Sequence, residues 1–67
     1  MDATEYTQMM ASALRAVKAG HEAGKDMKDS LRIWQAANTL LSKAEQRLIV
    51  NRVVPRVINR ARDRKAA

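Results

Sequence analysis

Apolar side chains recur along this chain at intervals of three and four, and the pattern is interrupted twice. Tyr6, Met9, Met10, Ala13, Leu14 and Val17 line one side of a helix at that spacing. Thr4, Glu5, Gln8, Ser12, Arg15 and Lys18 fall on the other side. Asp2 is placed to cap the start, and Glu5 three residues later makes an aspartate variant of the capping box. Gly20 stands where helix C-termini favour glycine, with Lys18 in the last turn to complement the helix dipole. The pattern predicts a helix over 3–19 and a connector, GHEAGKD, over 20–26.

A second apolar stripe takes Met27, Leu31, Trp34, Ala37 and Leu41, widened by Ile33, Leu40 and Ala44. Asp29, Arg32, Gln35, Thr39 and Lys43 lie opposite, and Asn38 projects from the edge of the stripe. Asp26 or Asp29 can cap this helix, predicted over 27–41. Ser42 and Glu45 then form an S-x-x-E capping box, which signals a fresh start. The third helix is predicted over 43–64, and the final DRKAA is read as frayed.

The third segment is rich in valine, which favours strands. Strands alternate, however, and here the apolar residues come as Ile49–Val50, Val53–Val54, Val57–Ile58 and Ala61, with polar residues between them. That is helical spacing. Pro55 removes the hydrogen bond to the Asn51 carbonyl, at a cost of about 3 kcal/mol relative to alanine. At about 100° per residue, Pro55 shares its azimuth with Asn51, Asn59 and Arg62, on the polar face, where water can satisfy the freed carbonyl. The expectation is a basic helix kinked at Pro55, the alternative being a break with Pro55 opening a short fourth helix.

Sixty-seven residues allow one domain, here spanning 1–67. A single core of that size rarely supplies more than about 3–5 kcal/mol. Cysteine is absent, so no disulfide or thiolate metal site reinforces it. The broad apolar faces therefore predict an all-α helical bundle of about three helices, completed by homodimerisation. The residues expected at the dimer or partner contact are Trp34, Asn38, Val50, Val53, Val54, Val57 and Ile58. Trp34 also reads as core, and Asn38 also reads as a boundary residue in contact with water. No stretch approaches the roughly 18–20 apolar residues of a membrane span, and the start MDATEYTQMM does not resemble a secretory signal. The chain is read as cytoplasmic, without membrane, small-molecule, cofactor or metal partners.

Charge changes the picture most. Residues 1–42 carry five basic and five acidic side chains, whereas residues 43–67 carry eight basic against two acidic. The entire net charge of +6 thus lies in the last third of the chain. Arg52, Arg56, Arg60 and Arg64 repeat every four residues and form a slowly winding ridge beside the valines, with Arg62 further round. Either this is a solvated face whose arginines pair with Glu45 or Asp63, or it meets a polyanion. Arginine rather than lysine suits bidentate contact with phosphate or carboxylate.

Chemistry beyond binding finds little support. His21 is the only histidine, in a glycine-flanked connector, so neither a metal site nor a serine–histidine pair can be assembled. A helix-turn-helix fails at Leu41, which occupies the usual glycine position, and at Arg47, which would point inward. The residues therefore predict a non-enzymatic, small DNA- or RNA-binding regulatory or accessory protein, DNA in preference to RNA. Arg47, Arg52, Arg56, Arg60, Arg62 and Arg64 would be its phosphate contacts. The alternative is a non-catalytic adaptor or inhibitor that binds an acidic surface of another protein, in the general style of phage and plasmid accessory proteins.

Overall fold

A computed structural model of the chain describes residues 1–66, with side-chain surroundings for residues 1–64. Among the described residues there are three helices and no strand: α1 (Ala3–Glu22), α2 (Met27–Ala37) and α3 (Lys43–Ala66). The helix α1 is central. It packs against both α2 and α3, which touch each other sparsely.

Short-range hydrogen bonds set the three helix starts. The Asp2 carboxylate accepts from the Glu5 backbone N–H at 2.8 Å, and the Asp26 carboxylate accepts from the Asp29 N–H at 2.8 Å. At α3 the capping box is reciprocal. Glu45 N–H donates to Ser42 Oγ at 3.1 Å, and Ser42 N–H donates to Glu45 Oε1 at 3.0 Å. Each bond occupies a backbone donor that the first turn of a helix leaves without a partner.

The Ser42 backbone N–H, and after it the Ser42 side chain, hold the Glu45 carboxyl below its ordinary pKa, with a further contribution from the Met1 ammonium. Ser42 N–H binds the ionised form better than the acid. A depressed folded-state pKa stabilises the fold above the unfolded value, and that stabilisation disappears as pH falls through the folded value. Glu45→Gln keeps a neutral acceptor in the box. Urea midpoints of wild type and Glu45→Gln should therefore diverge on acidification below about pH 4.5, with wild type losing more. Parallel profiles would remove Glu45 from the acid response.

The first helix does not end at Ala19. It continues through Gly20 to Glu22 and stops in a Schellman motif, with Gly24 at φ +78°. Lys25 N–H donates to the Gly20 carbonyl at 2.8 Å, and Gly24 N–H donates to the His21 carbonyl at 3.0 Å. Gly24, not Gly20, is thus the terminating glycine. Gly20 serves a close approach instead, because a Cβ there would lie 2.8 Å from the Cβ of Ser30 and overlap its hydroxyl. The connector shortens to Ala23–Asp26.

The second helix ends at Ala37 rather than reaching Leu41. Asn38 leaves the helix at φ −114° and ψ 50°, and its side-chain amide donates to the Trp34 carbonyl at 2.7 Å. Gln46 of α3 donates to the Asn38 carbonyl at 2.9 Å and to the Gln35 carbonyl at 3.3 Å. Carbonyls that a longer helix would have satisfied are satisfied by these side chains. The stripe predicted for α2 is accordingly cut short, with Leu40 exposed beyond its end; Ile33 and Ala37 inside α2 and Ala44 in α3 are exposed as well.

Seven apolar residues form the buried core: Met10, Ala13 and Val17 of α1, Leu31 and Trp34 of α2, and Ile49 and Val53 of α3. Leu14, Met27, Leu41, Val50, Val54 and Val57 pack around them. Trp34 Nε1–H donates to Ser12 Oγ at 3.1 Å, so the indole is buried without stranding its polar atom. Ser12, which helical spacing places among the polar side chains, is half-buried for this reason. The third helix runs without interruption through Pro55, which is exposed, and continues past Arg64 to Ala66. A break at Pro55 with a fourth helix is not observed. Of the DRKAA segment, Ala67 lies outside the described residues. Among the described residues no helix is long and apolar enough to cross a membrane.

Candidate nucleic-acid interface

The third helix positions every arginine proposed from the sequence. Arg47, Arg52, Arg56, Arg60, Arg62 and Arg64 are all exposed. Among the described residues none of them forms an ion pair. The only salt bridge among the described residues is between the Met1 ammonium and Glu45, at 3.9 Å. Glu45 is thus engaged by Ser42 and the N-terminus rather than by an arginine, and among the described residues Asp63 pairs with no cation. The arginines carry their charge on an open surface, unpaired with carboxylates among the described residues.

Their arrangement follows from helical geometry. Residues four apart advance by about 40° around an α-helix. Arg52 therefore stands on the flank, Arg56 nearer the packed face, and Arg60 and Arg64 within about 20° of the azimuth of Val53. Val53 is fully buried against α1, whereas Arg60 and Arg64 are exposed. The change is one of axial position: Val57 is the last residue of α3 that packs against the core, and every residue from Ile58 to Arg64 is exposed. The final turns of α3 project beyond the three-helix body. Arg62 lies on the opposite side of this projection, and Arg47 lies apart, near the helix start.

The residues expected at a dimer or partner contact divide into two groups. Trp34 (3% exposed) and Val53 (0%) are inside this chain's own core. Asn38 is half-buried, with its amide committed to the Trp34 carbonyl. Val50, Val54 and Val57 are half-buried along the edge of the core, and Ile58 is 42% exposed. The surface open to a second molecule is therefore narrower than the apolar pattern implies.

Two features escaped the sequence pattern. Leu40, in the turn between α2 and α3, is completely exposed, while its neighbour Leu41 turns inward. The doublet between Asn38 and Ser42, two cap-forming residues, is the signal that could have indicated a turn there. Beside it lies a shallow groove of about 660 Å³ with Ala36, Leu41 and Val50 in its lining and Lys43 and Arg47 among its basic residues. His21 is exposed at the end of α1, and among the described residues no group of three potential metal ligands comes together.

Comparison with known protein families, with curated proteins and with solved structures returns no match for this chain.

Proposed function

We propose that this chain is a small, non-catalytic nucleic-acid-binding protein of regulatory or accessory type. It binds DNA in preference to RNA through the arginines of α3. The observation that carries this reading is the exposure of all six arginines on one helix with, among the described residues, no carboxylate paired to any of them. Such a surface can neutralise phosphates and displace the cations condensed on them, and that counterion release is the main source of sequence-independent affinity for nucleic acid. The test is a salt-titrated binding assay on wild type and an Arg52/Arg56/Arg60→Ala variant. An affinity insensitive to salt, or no binding at low salt, rejects the reading.

The acting form is a homodimer. Support comes from the size of the core and from Leu48, 44% exposed on the outer side of α3, with Val50, Val54 and Val57 along the core edge. In this reading Pro55 bends α3 away from its solvent face and carries the basic end around the body. Sedimentation at low micromolar concentration should give a dimer. A stable folded monomer across that range overturns the assignment.

Leu40 and the adjacent groove favour a second reading, an adaptor or inhibitor that binds an acidic protein surface. Leu40 would be its apolar anchor, with Lys43 and Arg47 pairing with carboxylates. Capture of a stoichiometric protein from nuclease-treated lysate, lost on Leu40→Asp, would select it. Loss of all partners after nuclease treatment would select nucleic acid.

A further inference from the structure

We infer that the projecting end of α3 enters the major groove of B-form DNA, an inference that rests on the nucleic-acid reading above. The projection is the observation that carries it. From Ile58 to Arg64 the helix is exposed on all sides, over about 10 Å of its length at 1.5 Å per residue. Arg60 and Arg64 stand on one side and Arg62 on the opposite side, by their helical azimuths. A helix laid on a flat acidic surface would engage one of these sides and leave the other in water. A ligand that presents negative charge on two opposed walls engages both.

The B-DNA major groove has that form. It is about 12 Å wide, it is walled by phosphates, and it admits an α-helix of about 10–12 Å diameter. The minor groove, about 6 Å wide, does not admit one, and the major groove of A-form RNA is too narrow for side chains to read. Between the two arginine sides, one flank carries Asn59 and Asp63 and the other Ile58 and Ala61. The Asp63 carboxylate favours facing away from the phosphates, which turns Ile58 and Ala61 toward the base edges. Apolar side chains there suit the thymine methyl group, which the major groove exposes. Upstream, Arg52 and Arg56 remain on the flank of the packed helix, available to phosphates outside the groove.

The experiment is dimethyl sulfate footprinting on a short DNA duplex saturated with the full chain, because guanine N7 lies in the major groove. Wild type should protect N7. The Arg60/Arg62/Arg64→Gln variant should lose that protection, and its log–log salt slope should fall by about 2.7, three contacts at about 0.9 each. A duplex RNA of the same sequence should bind at least about tenfold more weakly than the DNA. All three positions are exposed and glutamine is a good helix former, so circular dichroism should be unchanged. DNA binding with N7 fully reactive, or equal affinity for both duplexes, overturns major-groove insertion while leaving the arginine surface as a phosphate contact. Absence of binding to either duplex at low salt removes the nucleic-acid reading itself, and this inference with it.

Discussion

Trp34→Ala abolishes cooperative unfolding at room temperature. The indole is 3% exposed and lies among Met10, Ala13, Val17, Leu31, Ile49 and Val53, at the point where the three helices meet. Truncating a buried tryptophan costs about 3–5 kcal/mol, because transfer energy is lost and a cavity remains. A core in a chain of this size supplies about the same amount in total. The substitution also removes the N–H donor to Ser12 Oγ. Loss of helical circular dichroism and of a sigmoidal urea transition is the expected result. Trp34→Phe preserves most of the volume and deletes the indole donor, so it should fold with a lower midpoint, by about 1 kcal/mol for the hydrogen bond together with the loss of ring volume. A Trp34→Ala protein that melts cooperatively near the wild-type temperature would show that the three helices do not depend on this junction.

The second large effect is on binding. Arg52, Arg56 and Arg60 lie on one exposed ridge and each adds a phosphate contact in the proposed complex. Counterion release at about 0.9 per contact makes each worth roughly eightfold in affinity at about 0.1 M salt. Their joint replacement by alanine should weaken binding by roughly 500-fold at about 0.1 M salt and reduce the salt slope by about 2.7. Alanine is the best helix former, so α3 should persist. Arginine stems can also cover apolar surface, so helicity must be measured on the same samples. Replacing the three with lysine separates charge from shape. The slope should be retained, and any further loss of affinity reports bidentate contact. If the alanine variant binds with an unchanged slope, the ridge is a solvated face and the phosphate contacts lie elsewhere.

What could be read from the chain follows the range of the interactions involved. The caps at Asp2, Asp26 and Ser42 were legible because donor and acceptor sit three residues apart and geometry settles the rest. The core positions Met10, Leu31, Trp34, Ile49 and Val53 were legible because helical spacing gathers them on one side of each helix. The role of each glycine was not legible. Gly20 and Gly24 both satisfy the preference for glycine at a helix C-terminus, and only the proximity of Ser30 shows that Gly20 is needed for helix contact. The end of α2 was missed for the same reason. Gln46 acts across the turn on the carbonyls of Gln35 and Asn38, a pairing with no signature in local periodicity. Because α2 stops early, Leu40 leaves the apolar stripe and becomes fully exposed.

The sequence by itself determined three helical segments, their capped starts, the apolar stripe of each and the concentration of positive charge in the last. These depend on neighbours within about one helical turn, so local spacing contains them. Only the tertiary structure decided where the packed part of α3 ends. Val53 and Arg60 have nearly the same azimuth, and periodicity treats them as one face. Val53 meets α1 and is fully buried, whereas Arg60 lies beyond the body, on a length of helix where every described side chain is exposed. Burial depends on which helix lies opposite at a given height, a relation between residues far apart in the chain.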